Sequence, residues 1–243
     1  MCNSTAMDDE VRRAYLDWHN NYRSSLAEGR EYNGRIGYAP KASNMQVMTY
    51  DCIAEESARR HAKSCSGKLS DPDSRPGYKE NIVHITKTYL NDVDTARKAS
   101  DRWWKELSMH GVNAEMNFTS EARHRTSKII THFAKMAWHD NVKLGCAHQN
   151  CGEVIFAVCH YGPGGNVVDE LIYNQGEPCT RCPDGTSCNG GLGPQGAGGG
   201  GGAPGLQGAP PAGGGPGGGG GGPPLALAAI GSYSAIFSSS LRP

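Results

Sequence analysis

Apolar residues recur at helical spacing in three early stretches and give way to short apolar runs further along the chain. Over residues 8–29, Val11, Tyr15, Trp18, Tyr22 and Leu26 mark one helical face, with Asp8 and Asp9 at the start and Gly29 at the stop. The pattern predicts a helix there. A second is predicted over residues 51–65 on the small-residue face Ala54, Ala58, Ala62 and Cys65. A third is predicted over residues 92–107, through Val93, Ala96, Ser100, Trp103 and Leu107. Residues 66–77, rich in Ser, Asp, Pro and Gly, read as a loop. Beyond residue 128 the character turns to strands, with residues 142–147 and 153–160 apolar and β-branched enough for a buried sheet. Helices before and between strands predict an α+β layered domain.

Composition narrows the functional classes. The chain has 243 residues, 37% of them hydrophobic, enough for one good core. Lys plus Arg equal Asp plus Glu at 24 each, so no whole-molecule field would draw in nucleic acid or an anionic membrane. Nine cysteines without a metal-finger pattern argue for an oxidising compartment, and the sequons at Asn3 and Asn117 fit it as expected glycosylation sites. The N-terminus lacks a basic segment followed by an apolar run, so removal of a secretory signal is expected. No apolar run approaches the roughly 20 residues of a transmembrane segment. A secreted, extracellular protein is therefore expected.

Two signatures identify a family resemblance. Cys159, Tyr161, Pro163, Gly165 and Asn166 keep the spacing C-x-Y-x-P-x-G-N, and His132-Phe-Ala-Lys-Met-Ala-Trp138 looks like H-F-T-Q-x-x-W with departures at Ala134 and Lys135. His19-Asn20-x-x-Arg23 and Lys79-Glu-Asn-Ile82 fall in the matching order. Together they resemble the CAP superfamily of cysteine-rich secretory, antigen 5 and pathogenesis-related proteins, over residues 9–190, and in particular the activation-associated secreted proteins of parasitic nematodes. The resemblance implies an α-β-α sandwich over residues 1–175, a short cysteine-rich extension over 176–190, and a Gly/Pro-rich tail over 191–243. That tail is expected to be disordered, because its glycines keep no sustained triplet period. By resemblance Cys65 pairs with Cys146. The relatives' last cysteine is absent, Gly193 standing in its place, which makes the count odd and points to Cys188 as the unpaired one. Cys179-x-x-Cys182 reads as a staple rather than a redox or zinc motif.

The resemblance also implies a surface cavity lined by two histidines and two acidic residues. Glu80, Glu106 and His132 match three of the positions, and the fourth is Leu69. A leucine supplies no lone pair, so Glu80, Glu106 and His132 would make only a weak site for a divalent metal such as zinc, with His61, His84 and His110 as replacements for the missing ligand. No cofactor is expected. The chain has no G-x-S-x-G and no H-E-x-x-H, so no catalytic residue is assigned and the protein is not expected to be an enzyme. His19 is expected to hydrogen-bond within the fold, and Trp103, Trp104 and Trp138 to line the core. The implied function is recognition of a host or self protein through loops on a rigid scaffold, in immunomodulation or another host–parasite contact, with allergen-like proteins among the relatives. A lipid carrier for sterol or fatty acid is the alternative, and a metal-dependent hydrolase stands behind it.

Overall fold

The protein is described by a computed structural model that covers residues 1–182 and 187–193. The first predicted helix forms as α1 (Asp9–Ala27), with Asp9 and Glu10 placed favourably against its N-terminal dipole. Strand β1 (Thr49–Tyr50) leads into α2 (Cys52–Lys63), which the Asp51 carboxylate caps by accepting from the Ile53 and Ala54 amides. Then follow β2 (Lys79–Ile85), α3 (Asp92–Trp104), α4 (Glu106–His110), β3 (Asn117–Phe118), α5 (Ser120–His124), α6 (Thr131–Ala137), β4 (Lys143–Asn150), β5 (Ile155–Gly162) and β6 (Glu170–Leu171).

The main sheet has the order β1-β4-β5-β2, with β1 parallel to β4 and the other pairs antiparallel. Strand alternation gives each face its own partner. On one face Ala147, Phe156 and Val158 pack under Ala58 and Ala62 of α2. The approach is close, since a Cβ on Gly145 would lie 2.6 Å from the Ala54 Cβ. On the other face Leu144, Ala157 and Tyr161 join Tyr15, Trp103 and Phe133 from α1, α3 and α6 in the larger core. Helices thus cover both faces of the sheet, as an α-β-α sandwich requires, and Trp103, Trp104 and Trp138 are all buried.

Two buried arginines tie the layers together. Arg12 of α1 meets Glu55 of α2 at 2.6 Å, both side chains almost fully buried. Arg23 donates to the carbonyls of Gln46, Met136, Trp138 and His139, fastening α1 to the end of α6 and to the segment before β1.

Several sequence expectations need correction. The third helix breaks at Lys105 into α3 and α4. Residues 131–137 form a helix rather than continuing strand character, and Lys79–Ile85 is a strand that the sequence pattern did not indicate. The expected Cys65–Cys146 disulfide is absent: Cys65 bonds Cys151, and Cys146 bonds Cys159. The reason is facial. Cys146 and Cys159 are direct cross-strand partners facing the larger core, whereas Cys65 follows α2 on the opposite face and meets the β4–β5 turn. Cys2–Cys52 anchors the N-terminus. In the extension Cys188 is paired after all, with Cys179, and the free cysteine is Cys182.

The extension is also longer than expected. Leu192 is buried in the larger core, and Gly193 exchanges backbone hydrogen bonds with Met45 and Val47 at 2.8 Å each. The expected tail therefore begins inside the fold at 191–193, and its remainder, 194–243, lies outside the described residues.

Candidate functional site

Glu80 is the centre of the first polar group. Its cross-strand partner in the β2–β5 register is His160, so both side chains leave the sheet toward α2. The Glu80 Oε1 lies 2.7 Å from His61 Nδ1, 2.9 Å from His160 Nε2 and 2.8 Å from Ser70 Oγ, while Oε2 accepts from the Ser70 amide at 2.8 Å. Burial alone would raise the Glu80 pKa, but the hydrogen bonds from His160 and Ser70 and the field of His61 outweigh it and hold the carboxyl at about 2. The same burial lowers the His160 pKa, against the attraction of Glu80, and its Nδ1 has no partner among the described residues.

Glu106 and His132 form the second group on the other face, where α4 meets α6. Glu106 Oε1 lies 2.5 Å from His132 Nδ1, and Oε2 accepts from the amides of His132 and Phe133 at 3.0 Å each. One carboxylate thus orients the imidazole and satisfies two amides of the first turn of α6. The dyad opens on a cleft of about 270 Å³ lined by Ile82, Val83, His84, Arg102, Trp103, Glu106 and His132. A carboxylate-oriented imidazole can accept a proton, yet no Ser, Thr or Cys among these lining residues offers a nucleophile.

Lys135 bonds the chain neighbours of both groups, Asn81 after Glu80 and Thr131 before His132. Its ammonium donates to Asn81 Oδ1 at 3.0 Å and to the Thr131 carbonyl at 2.9 Å, while Asn81 Nδ2 donates to the His132 carbonyl. Burial lowers the Lys135 pKa to about 8, with Glu106 and Glu80 acting to raise it. Asn81 also donates to the Tyr161 hydroxyl, which reaches His19 at 2.9 Å. Since His19 Nδ1 meets the Tyr15 carbonyl at 2.7 Å, that nitrogen carries the proton and Nε2 accepts from Tyr161. Burial keeps His19 neutral by lowering its pKa to about 4. His19 is therefore a satisfied internal residue, as expected.

The structure does not assemble the expected metal set of Glu80, Glu106 and His132. Glu106 and His132 meet, but Glu80 is turned to the opposite sheet face, and Leu69 is 61% exposed. Among the described residues no three His, Cys, Asp or Glu side chains are grouped so that they could hold a metal ion. The resident donors are also committed to each other. Of the replacement histidines only His61 reaches Glu80, whereas His84 stacks on Phe156. His160 was missed because its place opposite Glu80 follows from the β2–β5 register, and β2 was not recognised as a strand. Asn3 is exposed, while Asn117 is half-buried in β3, its Oδ1 buried without a partner among the described residues.

A second missed feature is the loop before β1. Tyr32 and Tyr38 stack with centroids 4.3 Å apart, and Tyr32, Ile36 and Tyr38 are 54%, 60% and 60% exposed. The Asn33 amide donates to the Gly37 carbonyl, and the Asn33 side chain bonds both the amide and the carbonyl of Val112. The Gly34 amide donates to the Leu107 carbonyl, and a Cβ on Gly34 would come within 3.0 Å of the Gly111 Cα, so glycine permits this seating. Asn33-Gly34 and Gly37 between two tyrosines were the available signal for a tight turn.

Comparison with known proteins places this geometry. Residues 16–161 match the family model described as the cysteine-rich secretory protein family, CAP. The Ancylostoma secreted protein of Ancylostoma caninum is 41% identical over 186 residues, 76% of this chain. This chain spans only 44% of that protein's length. Hookworm platelet inhibitor 1 of the same organism is 33% identical over 187 residues, covering 75% of this chain and 80% of the inhibitor. Among solved structures, NaASP2 with Zn2+ superposes with a TM-score of 0.74 at 37% identity, covering 79% of this chain and 99% of the other.

Proposed function

Because the chain belongs to the cysteine-rich secretory protein (CAP) family, we propose that it is secreted and acts by binding a protein partner rather than by catalysis. The observation that carries this reading is the pre-ordered Tyr32–Tyr38 loop, which holds two stacked tyrosines and Ile36 in solvent on a frame of backbone hydrogen bonds. Exposed aromatic and aliphatic side chains on a rigid turn bind at low entropic cost, and tyrosine is enriched among residues that dominate protein interfaces. Arg35 at the tip makes no ion pair among the described residues, which leaves its charge for a partner carboxylate. The commitment of Glu80 and Glu106 to their own hydrogen bonds supports a scaffold rather than an enzyme.

The printed name of one relative, a platelet inhibitor at 33% identity, makes a platelet protein the first partner to try. Flow cytometry of the labelled, secreted chain on washed platelets tests this. Saturable binding, competed by unlabelled protein and without hydrolysis of ester or peptide substrates, is expected. Turnover of such substrates that vanishes in His132→Ala would contradict the reading.

The lipid-carrier alternative has one feature in its favour, an apolar groove of about 400 Å³ beside Tyr78, Val142 and Pro163. Native mass spectrometry would reveal it as a lipid-sized excess over the denatured, unreduced chain.

A further inference from the structure

We propose that the partner meeting the Tyr32–Tyr38 loop presents an acidic protein segment, with Arg35, Lys105 and Arg125 supplying the charge that draws it in. The proposal deepens the recognition reading and rests on it. The loop's own carboxylates are already taken: Glu28 pairs with Arg30, and Glu31 accepts from the Ser25 hydroxyl and the Trp104 indole. Arg35 is exposed and makes no ion pair among the described residues. The loop is seated on a segment that adds two more cations. The Gly34 amide donates to the Leu107 carbonyl, and a Cβ on Gly34 would lie 3.0 Å from the Gly111 Cα. Arg125 donates to the Gly111 carbonyl at 3.3 Å, so one glycine–glycine contact links Arg125 to the residue before Arg35. Lys105 is exposed at the junction of α3 and α4, two residues before Leu107. Neither Lys105 nor Arg125 has a carboxylate partner among the described residues, and the exposed Glu115, beyond Val112, offsets one charge of the three.

The neutral total of the chain conceals a separation of charge. Asp92 and Asp94 at the start of α3 share a cleft with Asp8 and Glu10 at the start of α1, so the two helices begin side by side. Their far ends lead to Lys105 and to the loop, where the Trp104 indole meets Glu31. With 19 residues in α1, the helical rise sets the acidic end about 28 Å from the loop end. An acidic partner is therefore drawn to the loop and turned away from the helix starts, although the net charge is zero. The apolar anchors decide between polyanions. Ile36 and, in α4, Met109 are 60% and 68% exposed. An aliphatic side chain gains little on a sulfated sugar chain, whereas a peptide can offer carboxylates and an apolar anchor together.

The probe is a random copolymer of glutamate and tyrosine, with heparin and a lysine–tyrosine copolymer beside it, tested on the secreted chain by biolayer interferometry and two-dimensional NMR. Thermal melting establishes that each variant keeps the fold. Arg125→Lys, which keeps the charge, separates the Arg125 cation from its bond to Gly111 and should bind as the unmodified chain does. Saturable binding of the acidic copolymer is expected, with amide shifts at residues 32–38 and 107–111. Combining Arg35→Gln, Lys105→Gln and Arg125→Gln is expected to weaken it at least about tenfold, mainly through slower association, as is raising salt from about 0.03 M to about 0.3 M. No binding of the acidic copolymer, or undiminished binding by the triple variant, would overturn the proposal. So would equal binding of heparin at the same amides, or self-association of the chain through them at low salt. The recognition reading fails by a different result. Platelet binding that is lost in Tyr32→Ser with Ile36→Asp but unchanged in the triple variant removes the acidic partner alone, whereas platelet binding untouched by the loop variant removes the reading itself.

Discussion

Cys182 and Gly193 face each other beneath the C-terminal staple: a Cβ on Gly193 would lie 2.9 Å from the Cys182 Cβ and closer still to its sulfur. The free thiol of Cys182 therefore sits opposite a position where a second cysteine could reach it once the backbone eases apart by about 1 Å, since the Cβ atoms of a disulfide lie about 3.8 Å from each other. Gly193→Cys is expected to close a fifth disulfide and to add about 2–3 kcal/mol of stability, the scale of a short closed loop. Thiol titration of the denatured chain should fall from one reactive group to none. Two reactive groups would show that the positions do not meet.

The same pair shows what the sequence could and could not disclose. The missing cysteine at Gly193 and the odd count were visible, but the identity of the orphan was not, because Cys179, Cys182 and Cys188 are nearly equivalent along the chain. Only the fold brings Cys188 onto Cys179 and leaves Cys182 against Gly193. Likewise α1 and α2 were legible from apolar spacing and their Asp starts. Strand β2 was not, because its Lys79-Glu-Asn opening is polar, and Glu80 and Asn81 become buried only through tertiary pairing. The register of that strand decides the site, setting Glu80 against His160 and away from Glu106.

The disulfide pairing carries its own test. Non-reducing peptide mapping is expected to recover Cys65 linked to Cys151 and Cys146 linked to Cys159. Removal of either bridge by serine should cost about 2–5 kcal/mol in thermal or denaturant unfolding. Recovery of a peptide joining Cys65 to Cys146 would refute the facial argument.

Arg23 is expected to be more important to stability than its surface-type chemistry suggests. Its guanidinium answers four backbone carbonyls, and Arg23→Ala would strand them in a dry site at a cost of about 3 kcal/mol or more. Arg23→Lys has three donors and should recover only part of the loss. Denaturant melts of the two variants measure this, and equal stability of Arg23→Ala and the unmodified chain would show that water replaces the contacts.

Acid should destabilise the domain in two windows. His19 has its pKa lowered from 6.5 to about 4, so the unfolded chain takes up a proton that the folded one refuses, and stability falls as pH drops from 6.5 toward 4. Glu80 has its pKa lowered from 4.5 to about 2, so its stabilisation is complete above pH 4.5 and is lost as pH drops toward 2. Glu80→Gln should flatten the lower window and leave the upper one. Melting temperature against pH tests this, and an unchanged slope below pH 4.5 in Glu80→Gln would remove Glu80 from the account.

Recognition through a pre-ordered loop, with the His132 dyad in a structural role, is the central claim, and one comparison addresses it directly. Binding to washed platelets is measured for the unmodified chain, for the double variant Tyr32→Ser with Ile36→Asp, and for His132→Ala, each shown to keep its fold. The loop variant is expected to lose at least about tenfold in affinity, the scale of removing interface anchors, while His132→Ala binds as the unmodified chain does. Undiminished binding by the loop variant, with loss in His132→Ala, would contradict the account.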